Sequence, residues 1–321
     1  MNCLYCGKVL DETVSKAEYE CGWHERCIKR FFGTDKMPEI DISKEKLEQL
    51  AQETADQGLT VPGVQKKLSL HLTNERNAKL TLVNYPTGYI LKPQTDMYKH
   101  LPESEYLIMS MAEATGIKTV PFALVKMDGS YAYITRRVDR EKSKSVKVKV
   151  KKLAMEDFCQ LDGKLTENKY IGSYERCGKI IAQHSFMPML DEAELFLRLV
   201  FCYVVGNSDM HLKNFSLIET KFKSGEYRLS PAYDMLPVQV VAKDQEDVAL
   251  TLNGKKKNLR KNDFLTFADN IGLQDKVAER LMDKVVKLEK KYITMCQNSY
   301  LTEEMKAVLC SLISERIEKI K

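Results

Sequence analysis

Between Ala193 and Val205 the sequence is almost continuously apolar, broken only by Glu194 and Arg198. It ends on the polar run Gly206-Asn207-Ser208-Asp209-Met210-His211-Leu212-Lys213-Asn214. A helix apolar on all sides must be buried. This one is shorter than the roughly 20 apolar residues of a membrane span, so it belongs to a protein core. A core that encloses a whole helix needs a long chain. The 321 residues, 44% hydrophobic and 30% charged, supply it and exclude disorder as a description of the whole. The length suits two domains, or two lobes with a small appendage. Lys+Arg of 50 against Asp+Glu of 45 leaves +5, too mild an excess to argue for nucleic acid as a direct partner.

Upstream of the buried helix the pattern is that of strands. Leu68, Leu70 and Leu72 alternate with polar residues, residues 79–84 repeat the motif, and the short run at 89–92 is stopped by Pro93. Residues 103–115 predict a helix with Leu107, Ile108 and Met111 inward and Gly116 as terminator. Strands at 122–126 and 131–135 flank Asp128-Gly129, a hairpin turn. In residues 146–151 valines alternate with Lys147, Lys149 and Lys151, a strand with one basic face. Helices are then expected at 155–160, 173–184, 192–205, 275–297 and 302–321, with one hairpin of 215–219 and 227–230. Strands first and helices second predict an α+β fold with a sheet-rich lobe over 59–152 and a helical lobe over 153–321. Residues 34–58 read as a linker and a helix over 44–57 capped by Ser43.

Asp209 and Asn214 stand at the Asp-x-x-x-x-Asn spacing of a phosphoryl-transfer loop. In such a loop the Asp accepts the proton of the attacking hydroxyl, and the Asn carbonyl oxygen takes a metal ion. A hairpin follows Asn214 and returns the chain to its start, so Asp234 can lie beside it. A carboxylate and an amide oxygen are hard ligands suited to Mg²⁺. Lys92 ends a predicted strand and Glu105 lies in the next helix, an order that suits a phosphate-binding lysine held by a glutamate. Residues 60–67, with Thr60, Val61, Gly63, Gln65 and Lys66, lie where a phosphate-covering loop belongs, although one glycine makes neither a Gly-x-Gly-x-x-Gly nor a Walker A pattern.

Six segments, in order, resemble the HipA family of serine/threonine kinases, the toxins of bacterial toxin–antitoxin systems. They are Gly63-Val64-Gln65-Lys66-Lys67-Leu68-Ser69-Leu70, Ile90-Leu91-Lys92-Pro93, Arg137-Val138-Asp139-Arg140, Glu156-Asp157-Phe158-Cys159-Gln160, the Asp209–Asn214 loop and Tyr233-Asp234-Met235-Leu236-Pro237. The resemblance implies a two-lobed protein-kinase-like fold, with a catalytic loop also similar to that of phosphoinositide kinases. It implies ATP and Mg²⁺ as cofactors, Asp209 as catalytic base, Asn214 and Asp234 as magnesium ligands, and Lys92 with Glu105 at the phosphates. Gln160, His211 and Tyr233 fall at nucleotide-contacting positions, and Val138 and Asp139 at the hinge that meets adenine and ribose.

The resemblance further implies growth arrest through phosphorylation of a translation-related protein, and a helix-turn-helix antitoxin through which alone DNA is met. Where the family often has an autophosphorylated serine loop, this sequence has Thr60 and Pro62, leaving Thr60 as the candidate acceptor. Longer members carry a further N-terminal subdomain. Without it, the chain looks like the short kinase of a three-gene system in which a separate small protein supplies that part. Rival readings of the loop are a lipid or small-molecule kinase and a catalytically silent scaffold. No charged-then-apolar leader opens the sequence, so a cytoplasmic location away from membranes is expected.

Residues 1–33 form a compositional island with Cys3, Cys6, Cys21 and Cys27. Cys3-x-x-Cys6 and His24-x-x-Cys27 suit tetrahedral zinc of the Cys₃His type, with Cys21 as an alternative to His24. A segment this short is expected to need such a staple. Four protein ligands leave no open position for catalysis, so the role would be structural or partner-binding.

Overall fold

The computed structural model describes residues 1–41, 67–73, 78–82, 88–142, 150–242 and 246–321. Two units are present, Met1–Tyr106 with Val120–Val138, and Leu107–Thr119 with Asp139–Lys321. The expected helix over 44–57, the loop residues Thr60, Val61, Gly63, Gln65 and Lys66, and Lys147 and Lys149 lie outside the described residues.

The first unit is built on a six-stranded sheet of order β1-β3-β2-β4-β6-β5. Its strands are β1 (Glu39–Asp41), β2 (Leu68–Leu72), β3 (Lys79–Leu82), β4 (Tyr89–Lys92), β5 (Phe122–Met127) and β6 (Ser130–Arg136). Leu68, Leu70, Leu91 and Ile134 are buried on one face, and in β5 and β6 four consecutive residues of each strand are buried, so both faces are covered there. Asp128 and Gly129 both take positive φ, 47° and 76°, the turn that matches strand twist in a two-residue hairpin. All neighbours are antiparallel except β1, which pairs in parallel with β3 through Glu39↔Lys79 to Asp41↔Thr81. This strand lies in a stretch that reads as linker, because three residues carry no periodicity.

Residues 1–33 differ more from the sequence-based expectation. Two short helices, Lys16–Cys21 and Glu25–Phe32, form there. Leu4, Trp23, Ile28, Phe31 and Phe32 are buried. Phe31 and Phe32 pack on Tyr89 of β4 with ring centroids 5.9 and 5.6 Å apart. The segment therefore shares the core of the sheet instead of needing one of its own.

In the second unit the apolar helix, Pro188–Val204, starts on Pro188 at its first turn and is buried along most of its length. Arg198, inside it, is 1% exposed; it is neutralised by Glu194 at 2.9 Å and donates to the Ser230 carbonyl at 2.8 Å. Tyr174–His184, Lys261–Asn270, Asp275–Lys287, Glu289–Gln297 and Glu303–Ile320 surround it. A small sheet of order β11-β10-β9 joins β9 (Met155–Asp157), β10 (Ser216–Glu219) and β11 (Tyr227–Leu229), after a separate pair of β7 (Arg140–Lys142) and β8 (Val150–Lys152).

Two helices differ from expectation. Residues 155–157 are strand, because Met155, Glu156 and Asp157 pair with β10, and the helix begins only at Phe158, where Asp157 caps it. Residues 275–297 hold two helices, because Leu288 takes φ −89°, ψ 0° and breaks the ladder without a proline or glycine. Lys261–Asn270 carries no sequence warning, since its cap is formed by Asp263 reaching back to the Arg260 N–H at 2.9 Å.

Candidate active site

In the second unit the buried helix is stopped at Gly206, whose φ of +70° is a left-handed conformation open to glycine at little cost. A Cβ there would stand 2.5 Å from Leu312. The chain then folds back on itself. The Asn207 N–H donates to the Cys202 carbonyl at 2.8 Å, and the Asp209 N–H donates to the Asn207 side chain at 3.3 Å, an Asx turn. Tyr174 donates to the Met210 carbonyl at 3.0 Å from a fully buried ring, and desolvation raises its phenol pKa well above the ordinary value. The Leu212 N–H donates to Lys169 O at 3.1 Å. The loop is thus held by backbone and buried side chains along its whole length.

The loop closes through Asn214, which is 5% exposed and donates its amide nitrogen to the Asp209 carbonyl at 2.8 Å. That bond orients the amide by its nitrogen and leaves the oxygen as the group able to accept or to ligate. His211 is buried and packs edge-on against Tyr170 at 4.9 Å. After the β10–β11 hairpin, the Tyr233 hydroxyl donates to the Lys213 carbonyl at 3.1 Å and pairs with Ser216 Oγ at 2.6 Å. Desolvation of this phenol pushes its pKa up. The residue before Asp234 is therefore tied to the residue before Asn214. Asp234 itself has φ +60°, a conformation Asp adopts more readily than most residues. A carboxylate and an amide oxygen are both donor types that suit a hard divalent cation.

Tyr170 is the residue that sequence reasoning missed. Its hydroxyl donates to Asp209 Oδ1 at 2.7 Å. Nothing in its neighbourhood, Lys169-Tyr170-Ile171, carries a motif that would have pointed to it.

Gln160 closes a capping box with Asp157, and Asp157 also accepts from Lys213 Nζ at 2.9 Å. Asp139 is buried, is paired with Arg140, and accepts from the Leu153 N–H at 3.0 Å. Val138 is half-buried, and the division between the two units falls between it and Asp139.

In the first unit Lys92 closes β4 beside Tyr133 of β6, its Nζ lying 5.3 Å from the ring centroid. Lys92 Nζ meets Glu105 Oε1 at 2.6 Å, with side chains only 5% and 0% exposed. Glu105 stands in the helix Leu101–Thr115, whose first N–H groups are met by Gln94 Oε1 at Leu101 and, at 2.9 Å, by the His100 carbonyl at Ser104.

A separate cluster lies at the N-terminus. One ligand atom from each of Cys3, Cys6, His24 and Cys27 falls within 4.8 Å of the others, a set able to hold a metal ion. Cys21 is not in it: its thiol turns to the Glu18 and Trp23 carbonyls at 3.5 and 3.6 Å. Among the described residues no helix is long and apolar enough to cross a membrane.

Comparison with known proteins places these features. The sequence profile of the HipA-like C-terminal domain matches residues 59–292. A Haemophilus influenzae protein named "Putative kinase" is 26% identical over 298 residues, covering 83% of this chain and 82% of that protein. The Sinorhizobium fredii "Putative kinase Y4dM" is 30% identical over 235 residues, covering 68% of this chain, and this chain spans just 55% of it. Among solved structures, HipA of Shewanella oneidensis MR-1, determined with HipB and operator DNA, superposes with a TM-score of 0.67 at 20% identity, over 84% of this chain and 70% of that one. The Helicobacter pylori proinflammatory kinase CtkA gives 0.53 at 18% identity, over 75% and 90%. The α+β fold expected from the sequence is thus protein-kinase-like.

Proposed function

The chain belongs to the HipA-like C-terminal domain family, and from that premise we propose that it is an ATP-dependent kinase of serine or threonine hydroxyls on protein. The observation that carries the reading is the closure of the loop, with Asn214 bonded to the backbone of Asp209 and Tyr233 bonded to that of Lys213. These bonds tie the proposed proton acceptor and the two proposed oxygen ligands to neighbouring backbone. Phosphoryl transfer asks little covalent work of the protein and depends on this kind of positioning.

Asp209 orients the incoming hydroxyl and takes its proton. Asn214 Oδ1 and the Asp234 carboxylate would hold Mg²⁺, which when bound would supply positive charge against the phosphates. Lys92, held extended by Glu105, binds the nucleotide phosphates. The loop of Thr60, Val61, Gly63, Gln65 and Lys66 covers them, with Thr60 as acceptor for autophosphorylation. Val138, Asp139, Gln160, His211 and Tyr233 are assigned to the nucleotide.

The biological role we propose is that of a toxin in a toxin–antitoxin system of the cytoplasm, arresting growth by modifying a translation-related protein. Its partners are a helix-turn-helix antitoxin, which alone brings it to DNA, and a separate small protein. The HipA of Shewanella, solved with HipB and operator DNA, supports the choice of antitoxin.

The test is incubation of the purified chain with Mg-ATP and cell extract, followed by phosphoproteomics of wild type against Asp209→Gln. Phosphoserine and phosphothreonine sites are expected with wild type alone, Thr60 included. Sites present with both forms, or with neither, contradict the assignment. Labelling of inositol lipids in place of protein would favour a lipid kinase.

A further inference from the structure

The N-terminal cluster is independent of the kinase chemistry and lies wholly in the first unit. Cys6 Sγ stands 3.6 Å from His24 Nδ1, and Cys27 Sγ stands 3.9 Å from the same atom. In a tetrahedral zinc site, with bonds of about 2.3 Å to sulfur and about 2.0 Å to nitrogen, neighbouring ligand atoms lie roughly 3.5–3.8 Å apart. The two sulfur–nitrogen separations lie close to such an edge, and all four ligand atoms fall within 4.8 Å of one another, near enough to close on one ion.

The backbone on both sides supports the same reading. Around Cys3 and Cys6 the chain makes a tight knuckle: the Cys3 N–H donates to Lys8 O at 2.8 Å, the Gly7 N–H donates to Cys3 O at 2.9 Å, and Gly7 takes φ +69°. His24 caps the helix Glu25–Phe32, and Cys27 lies one turn on in the same helix, which sets the two on one side of its N-terminal end. Cys3, His24 and Cys27 are 1%, 8% and 5% exposed, while Cys6 is open to solvent.

The residues beside the ligands do something specific. Leu4, next to Cys3, accepts the Leu124 N–H at 2.9 Å. Trp23, next to His24, donates its indole N–H to the Leu124 carbonyl at 3.1 Å. Leu124 lies in β5, the edge strand of the six-stranded sheet. Both of its outward backbone groups are thus met by residues flanking the cluster. Lys126 of the same strand donates to the Glu20 carbonyl at 2.6 Å, and Leu4 in turn donates to Gly22 O at 2.9 Å. An uncovered edge strand invites pairing with other chains, and covering it is how folds avoid that.

We propose that Cys3, Cys6, His24 and Cys27 bind one Zn²⁺, and that this ion fastens the N-terminal segment over the edge of β5. On binding, the three thiols release their protons to solvent as thiolates, and His24 ligates through neutral Nδ1. By joining Cys3 to His24 the ion fixes Leu4 and Trp23 in the relative positions that Leu124 requires.

Trp23 is the sole tryptophan of the chain and is wholly buried, stacked on Tyr5 at 5.5 Å, so its fluorescence reports docking directly. The full chain as purified is expected to hold one equivalent of zinc by elemental analysis. After chelation, Trp23 emission should shift to the red, and added Zn²⁺ should restore it. Titration with Co²⁺ alone should give the visible bands of a tetrahedral thiolate site. Cys6→Ser, at the exposed ligand, should weaken cobalt binding about a hundredfold. Cys21→Ser should bind as wild type does. A wild-type chain without zinc that gives no cobalt spectrum overturns the metal site, whatever the variants do. So does loss of binding in Cys21→Ser with retention in Cys6→Ser. Trp23 emission that is the same with and without bound metal overturns the fastening role.

Discussion

Lys92 Nζ and Glu105 Oε1 are 2.6 Å apart with both side chains sealed from solvent, so strand β4 and the helix Leu101–Thr115 are joined by a buried ion pair. Removing one member of such a pair strands the other charge and costs about 3–5 kcal/mol. Lys92→Met or Glu105→Gln should therefore lower the unfolding free energy by that order in a denaturant titration. The double variant Lys92→Met/Glu105→Leu should recover most of the loss, because replacement of both partners is often neutral. It should recover no nucleotide binding. Full nucleotide affinity in the double variant would separate Lys92 from the phosphates.

The Tyr233 hydroxyl holds the Asp234 turn to the Lys213 carbonyl, next to the two residues proposed as metal ligands. Tyr233→Phe keeps the ring and deletes that bond, at a cost of about 1–3 kcal/mol for the groups left unsatisfied. The Mg²⁺ concentration for half-maximal phosphotransfer should rise severalfold with kcat at saturating metal little changed. A fall in kcat with no change in metal dependence would contradict a positioning role.

Tyr170 places a hydroxyl on Asp209 Oδ1, the carboxylate proposed to receive the substrate hydroxyl. Tyr170→Phe removes that competitor, worth about 1 kcal/mol. ATP turnover in the absence of protein substrate should rise by roughly fivefold. Unchanged or lower turnover would show that the tyrosine does not occupy the acceptor position.

Acid should destabilise the second unit in part through Asp162. Burial raises its pKa, but bonds from Lys164 and Arg176 outweigh this and hold it below the ordinary carboxylate value. A depressed folded pKa means that the stabilisation is complete above the unfolded value of about 4 and is lost as pH falls through the folded value. Stability should therefore drop below pH ~4, and Asp162→Asn should flatten that drop while lowering stability at neutral pH. A slope unchanged by the substitution would contradict the assignment.

Alternation made β2 legible in the sequence, the apolar run stopped by Pro93 marked β4, and Asp128-Gly129 marked the turn of the β5–β6 hairpin. Three-residue strands such as Glu39–Asp41 and Met155–Asp157 show no period, and pairing partners far along the chain decide them. The break at Leu288 has no sequence sign, since tertiary packing sets its dihedral angles. In the site, Asp209, Asn214 and Asp234 could be singled out because the loop chemistry depends on spacing along the chain. Tyr170 meets Asp209 across 39 positions by folding alone, and no spacing rule reaches it. The cysteine cluster was open between His24 and Cys21. Cys21 ends the helix Lys16–Cys21 with its thiol on the Glu18 and Trp23 carbonyls, whereas His24 opens the next helix beside Cys6 and Cys27.

The central claim is that this loop transfers phosphate from Mg-ATP with Asp209 as the proton acceptor. Its most direct test is paired calorimetry and radiolabel transfer from γ-labelled ATP, for wild type and Asp209→Asn. The account predicts that both forms bind Mg-ATP with similar affinity, that wild type labels serine or threonine on protein, and that the variant transfers at a rate lower by at least about a thousandfold. Failure of the wild type to bind Mg-ATP, or transfer by Asp209→Asn at the wild-type rate, would contradict it.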